Sequence, residues 1–350
     1  MTDHESIRPE SPAVEVPELL TVSPPPHIKH TDTTRSIMLD VIIALLPATA
    51  WGVVVFGFRA LVVTLISVGA SVLFEYLARR LFKRKNTIGD LSAVVTGLLL
   101  GLNLPSSVSY WIPVVGAFFA IVVVKQIFGG IGKNFINPAL AGRAFLFAWP
   151  SEMTTFPAPF RWLSPAAFSF ASRTDAIATA TPLASLKHGQ IPDASLADLF
   201  FGRCAGSIGE ISAFLLLLGG VYLIVRGVIT WHIPVAFITT VAVLTFLFPQ
   251  GGDRLDVMLN ELLTGGLFLG AIFMATDYCT SPVTAKGRLL FGFGCGCVTV
   301  FIRYFGGYNE GVSFAILMMN MLVWYFDRAT RPRVFGTVRK TAEKKEGGSQ

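Results

Sequence analysis

The chain has 350 residues, of which 53% are hydrophobic and only 14% charged, with a mean hydropathy of +0.62. So little charge excludes an ordinary soluble domain of this length and makes a polytopic membrane protein the expectation. The formal net charge of +6 does not point to nucleic acid, because the basic residues cluster beside apolar spans, where they orient a membrane protein.

Residues 1–36 are polar and proline-rich, with Pro24, Pro25 and Pro26 in a row. They read as a disordered cytoplasmic tail and lack the short apolar core of a signal peptide. A helix needs about 20 apolar residues to cross the hydrocarbon. The first membrane block, 37–150, offers Ile37–Phe56, Leu61–Leu81, Leu91–Leu104, Tyr110–Phe128 and Pro138–Trp149. A polar stretch, 151–210, follows. The second block, 211–327, offers Ile211–Ile229, Ile233–Phe248, Leu262–Thr276, Leu289–Tyr304 and Val312–Phe326. Leu91–Leu104, Pro138–Trp149 and Leu262–Thr276 are short or interrupted. Residues 328–350 form a basic tail containing Arg328, Arg331, Arg333, Arg339, Lys340, Lys344 and Lys345.

Basic residues mark alternate ends of these spans: Arg79 to Lys85 after the second, Lys125 and Lys133 after the fourth, Lys286 and Arg288 after the eighth. The positive-inside rule then puts both termini in the cytoplasm and the segment 151–210 outside the cell membrane. The expectation is an all-α protein of about ten transmembrane helices.

A repeat is visible in the motifs. "TGLLLG" (Thr96–Gly101) and "TGGLFLG" (Thr264–Gly270) share Gly-Leu-x-Leu-Gly, and "GKNFINPAL" and "GYNEGVSFA" share Gly-x-Asn before the fifth and tenth spans. Five spans per half make the copies opposite in orientation, an inverted repeat whose broken helices can hold a polar ligand near the midplane. Small-residue patterns also recur simply because helices pack closely.

Three stretches could carry chemistry. In "GGIGKNFINPALAGRAF" (Gly129–Phe145) glycines and a proline precede a short helix. Asn134 and Asn137 offer amides and Arg143 a cation, a set suited to an anion or to the heteroatom edge of a ring; otherwise Arg143 snorkels to the interface. In "ATDYCTSPVTAKGR" (Ala275–Arg288) Asp277 is surrounded by hydroxyls. It either binds a cofactor or cation or pairs with Lys286 or Arg288. Asp40 and Arg226 are lesser candidates of the same kind. Cys295 and Cys297 lack the ligand set of an iron–sulfur site and read as close helix packing. No metal site is expected. Nucleotide-binding loops, a dinucleotide fingerprint, a zinc-protease motif and a Ser/His/Asp set are all missing, which removes the usual carriers of phosphoryl transfer, hydride binding and hydrolysis.

The motifs "FINPALAGRAF", "GGLFLGAIFMATDYCTSPVTAKGRLLFG", "GSIGEIS" and "RPRVFG", in that family's order over about residues 36–336, resemble the RnfD/NqrB family. Its members are membrane subunits of redox-driven, ion-translocating oxidoreductases. The short N-terminal tail favours the RnfD branch, from the Rnf ion-translocating electron transport complex, over the NqrB branch. The resemblance implies FMN joined through a phosphoester to a threonine in a pattern like Asp-x-x-Ser-Gly-Ala-Thr. Here "DAIATATPL" puts Asp175 on the acid and Thr181 on the acceptor, with Ala178 and Thr179 in place of Ser and Gly and Thr179 a rival acceptor. A second, non-covalent flavin, riboflavin or FMN, is implied near Asn137, Arg143 and Asp277, where Tyr278 could stack on a ring. Implied partners are the other subunits of the complex, membrane lipid and Na⁺ or H⁺, in a bacterial inner membrane. NADH and ferredoxin sites are expected on other subunits. A solute transporter with inverted repeats is the competing class, and a cofactor-free scaffold is the third.

Overall fold

The computed structural model describes residues 32–160, 181–187, 194–307 and 310–332. These are helical, with no β-strand among them. In chain order the helices are α1 (Thr34–Phe56), α2 (Phe58–Leu81), α3 (Ser92–Leu102), α4 (Trp111–Phe118), α5 (Pro138–Leu146), α6 (Pro150–Met153), α7 (Pro182–Lys187) and α8 (Leu196–Phe201). After them come α9 (Ala213–Val225), α10 (His232–Leu247), α11 (Arg254–Leu263), α12 (Leu267–Leu269), α13 (Ala285–Phe305), α14 (Val312–Met321) and α15 (Val323–Thr330). Two of them continue as π-helix, α4 through Phe119–Gln126 and α12 through Gly270–Met274.

Among the described residues, helices α1, α2 and α13 are long and apolar enough to cross a membrane, and α11 with α12 and its π-helical extension meets the same test only as a pair bent by 58°. Helix α10 has the expected length, and α3, α5, α9 and α14 are shorter than the sequence suggests. Local chemistry sets their ends: Ser212 caps α9 by accepting the N–H of Leu215, and Gly227 leaves it in the left-handed conformation. The expected short helices at 91–104 and 138–149 appear as α3 and α5, and the expected interruption at 262–276 is the bend. The bend arises where Gly265 and Gly266 follow one another at φ +73° and +65°, a conformation that L side chains rarely adopt. The protein is a multi-pass membrane protein. Large apolar residues such as Leu39, Leu65, Leu73, Val225 and Phe301 face outward, where lipid, not water, would cover them.

Small residues let the helices approach closely. A Cβ on Gly97 would lie 2.7 Å from the Cα of Val68, and one on Gly219 would lie 2.5 Å from the carbonyl oxygen of Ala44, which ties α3 to α2 and α9 to α1. Gly296 meets Thr240 of α10 in the same way, so the Cys295–Cys297 stretch is a packing surface, as expected. The two cysteines are free thiols, and no cluster of metal ligands exists among the described residues. Helix α1 packs on α9, α5 on α14, and α13 on α10 and α14.

The end of the polar stretch 151–210 is not a surface loop. Ser207 and Ile208 are fully buried, with Ile208 N–H donating to Leu104 O at 3.1 Å and Gly209 N–H to Leu102 O at 2.8 Å. The segment folds back onto the C-terminal end of α3 and carries Glu210 inward.

Candidate functional site

Two cavities among the described residues lie at opposite ends of the helix that follows the bend. One touches Ile272, Phe273 and Thr276 at its far end, the other Thr264 and Gly265 at its start. Seven positions separate Gly265 from Ile272, roughly 10 Å at helical rise.

The first cavity, of about 90 Å³, has apolar walls from Met38, Val41 and Phe273 and polar groups from Lys125, Asn134, Asn137 and Asp277. Asn137 caps α5, its Oδ1 accepting the N–H groups of Ala139 and Leu140, while its Nδ2 donates to Met274 O at 3.1 Å. Asp277 accepts from Thr280 at 3.2 Å, with the Asn134 amide on the same cavity wall. Burial raises its carboxyl above the usual range, opposed by hydrogen bonding and by the charge of Lys125. Asp277 does not pair with Lys286 or Arg288: Arg288 instead donates to Pro282 O and Thr230 Oγ1, and Asp277 enters no salt bridge among the described residues. Tyr278 lines the same cavity, its hydroxyl donating to Val228 O. Apolar walls with a few convergent polar groups suit a flat heteroaromatic ring.

Arg143 is elsewhere. Six residues beyond Asn137 on α5, it sits about 9 Å further along the axis and does not line the first cavity. Nor does it snorkel. It is 4% exposed, donates to Asn103 at 2.9 Å and Ser313 at 2.8 Å, and faces two carboxylates, Glu210 at 3.3 Å and Glu310. Those glutamates stand in two motifs of the sequence, "GSIGEIS" and "GYNEG", yet only the fold reveals that they share one cation.

The second cavity, of about 30 Å³, is lined by Thr181, Cys204, Glu210, Thr264, Gly265 and Glu310, among others. Thr181 is half-buried rather than exposed on an extended segment, because α7 begins directly after it. Its Oγ accepts the N–H of Ala184 at 3.3 Å, an N-cap with Pro182 in the first helical position. Leu183 and Leu186 are buried, and Lys187 donates to Gly306 O at 2.6 Å, so α7 is seated on the helices beneath. Burial, with Asp198 and Glu210 nearby, pushes the Cys204 thiol up to about 12. Asp175 and Thr179 lie outside the described residues.

Three further ionic contacts were illegible in the sequence as partnerships. Lys125, expected to mark a membrane edge, is buried and joined to Glu75 at 2.7 Å and to Ser92 Oγ at 2.6 Å. Arg303 joins Glu261 at 2.7 Å and donates to Thr264 O, clamping the bend. Asp40 and Arg226, separate candidates in the sequence, pair with each other at 3.1 Å, with Tyr222 donating to Asp40 at 2.8 Å.

A profile of the NQR2, RnfD, RnfE family matches residues 21–336. The chain belongs to this family. It is 48% identical over 330 residues to the D subunit of the Na⁺-translocating ferredoxin:NAD⁺ oxidoreductase complex of Acetobacterium woodii, covering 93% of this chain and 98% of that one. It is 40% identical to the D subunit of the proton-translocating ferredoxin:NAD⁺ oxidoreductase complex of Clostridium ljungdahlii, covering 92% and 97%. The D subunit of the ion-translocating oxidoreductase complex of Stutzerimonas stutzeri is also 40% identical, with 86% and 91% covered. The cavity residues Thr181, Asn137 and Asp277, and the Arg143 cluster, all fall within the span matched to the NQR2, RnfD, RnfE family.

Proposed function

We propose that this chain is the flavin-carrying membrane subunit of an ion-translocating ferredoxin:NAD⁺ oxidoreductase complex, the RnfD-type component of a bacterial inner-membrane assembly. In this reading Thr181 carries FMN through a phosphoester, with Thr179 as the rival acceptor and Asp175 part of the recognition pattern. A second flavin sits without a covalent bond in the cavity of Asn137 and Asp277. Bound flavin supplies one- and two-electron chemistry, and the other subunits supply the electron partners and share the coupling to Na⁺ or H⁺. The two halves form an inverted repeat of about ten spans, with both termini cytoplasmic and the Thr181 segment outside. Support for the repeat comes from the packing of α1 on α9 and α5 on α14, which brings corresponding helices of the halves together.

The observation that carries the reading is the seat of Thr181. Thr181 lines a cavity together with Thr264 and Gly265 of the bend, in a chain that covers nearly the full length of relatives named as D subunits. Within the chain, the α7 dock fixes Thr181, and Asn137 and Asp277 offer amide and carboxyl groups to a ring edge.

Thr181→Ala is expected to abolish the in-gel flavin fluorescence of the denatured protein and the mass increment of one FMN, while Thr179→Ala keeps both. An unmodified wild-type chain overturns the covalent assignment, and a colourless, flavin-free native complex returns the chain to the transporter class. For the second flavin, Asp277→Asn is expected to lower the flavin released on acid denaturation about tenfold, the equivalent of roughly 1.4 kcal/mol of lost binding, and to leave the covalent signal intact.

A further inference from the structure

The pairs Lys125–Glu75 and Arg303–Glu261 each set one buried cation against one carboxylate. The Arg143 cluster does not balance. Its guanidinium faces both Glu210 and Glu310, and the side chains of the three are 5%, 4% and 16% exposed. With both carboxyls ionised the group carries one uncompensated negative charge in a place where such a charge is strongly disfavoured.

Among the described residues Arg143 is the cation in salt-bridge contact with either carboxylate, and Lys187 of α7 donates to Gly306 O. Asn103, which caps the end of α3, and Ser313 of α14 are neutral and already accept N–H groups of Arg143. Cys204, on the approach to the re-entrant segment, remains a thiol. Thr264 and Gly265, at the bend, direct their carbonyls to Arg303, whose charge is met by Glu261. Thr181, at the start of α7, has no charge. Meanwhile Oε1 of Glu210 is buried without a well-formed hydrogen bond, and Glu210 lines the cavity beside Thr181. Both carboxyls therefore crowd one guanidinium away from water, and two carboxylates that share one site are relieved when one of them is protonated.

We propose that Glu210 and Glu310 hold one exchangeable proton between them against Arg143, and that the cavity beside Thr181 is the port through which it exchanges with water. The cavity has room for about one water molecule or slightly more. A dehydrated alkali cation fits the site worse, because it needs several oxygen ligands and would lie beside a guanidinium already holding both carboxylates. The proton site does not depend on any cofactor attached to Thr181.

The test uses the full-length chain in lipid nanodiscs, as wild type and as Thr181→Ala, with infrared difference spectra recorded across a pH titration. Both, each carrying Asp277→Asn to remove the other acid that burial raises, are expected to show one buried carboxylic-acid C=O band that disappears as pH rises and shifts in D₂O. In that background Glu210→Gln and Glu310→Gln are each expected to lose that band while the amide bands of the folded helices stay unchanged. Replacing K⁺ by Na⁺ at fixed pH is expected to leave the band in place. No such band in the Asp277→Asn chain overturns the proposal, as does its survival in both glutamine variants or its specific removal by Na⁺, which would make the pair a cation site. If either glutamine variant fails to fold, the pH and Na⁺ arms on the Asp277→Asn chain still decide. An unmodified Thr181 leaves this band where it is, and a missing band leaves the flavin assignment untouched, so the two readings fail separately.

Discussion

Lys125 and Arg143 are both cations buried among helices, but the company they keep differs. Lys125 meets a single carboxylate, Glu75, and the pair is closed by hydroxyls: Ser92 accepts from Lys125 and Thr87 donates to Glu75. Arg143 meets two carboxylates at the edge of a cavity. The first sets one cation against one salt-bridged carboxylate and holds α2, α3 and the π-helical end of α4 together. The second has one acid too many, so it can change its charge by one while its shape is kept.

The comparison breaks most visibly at Lys125. Lys125→Met alone is expected to strand Glu75 and cost about 3–5 kcal/mol, seen as loss of the folded protein in a thermal scan after detergent extraction. The double variant Lys125→Met with Glu75→Leu is expected to recover most of that stability. A double variant as damaged as the single one would mean that the pair does more than neutralise itself. At the Arg143 site the same operation is expected to be mild. Glu210→Gln leaves one acid for one base and should change stability by less than about 1 kcal/mol, whereas Glu75→Gln should behave like Lys125→Met. Equal losses in Glu210→Gln and Glu75→Gln would erase the distinction. The smallest effect concerns Cys204, whose thiol is held near 12 partly by Glu210. At pH 8 its alkylation is expected to run about a thousandfold slower than that of free cysteine, with a rise of a few-fold in Glu210→Gln. Cysteine-directed mass spectrometry reads both.

Much of the architecture was legible because it is local. Apolar runs announced the helices, the interruption expected within 262–276 is where the bend falls, and the proline at 138 marked the short helix that became α5. Helix ends were less legible: Ser212 and Gly227 trim α9 by capping chemistry within an apolar run that continues past them. The ionic partnerships were not legible at all. Arg143 and Glu310 are 167 positions apart, on different halves of the chain, and no periodicity links them. Lys125 illustrates the limit well, since a basic residue at the end of a span is read as a marker of the membrane edge unless its acidic partner on another helix is known. Thr181 was legible as a hydroxyl before a proline but not as a helix cap, because the six residues of α7 give too short a pattern.

The glycines of the bend bear on timing. A Cβ on Gly265 would lie 2.5 Å from Leu183 of α7 and 2.9 Å from Arg303, and one on Gly266 would lie 2.7 Å from Glu210. The platform on which α7 rests is therefore made of backbone and is complete only once α11, α13 and the re-entrant segment have come together. Helix α7 takes its seat on segments that must already have met. Any enzyme that modifies Thr181 finds its hydroxyl most open before α7 docks, and afterwards must lift α7, with Leu183, Leu186 and the Lys187 latch, away from its seat.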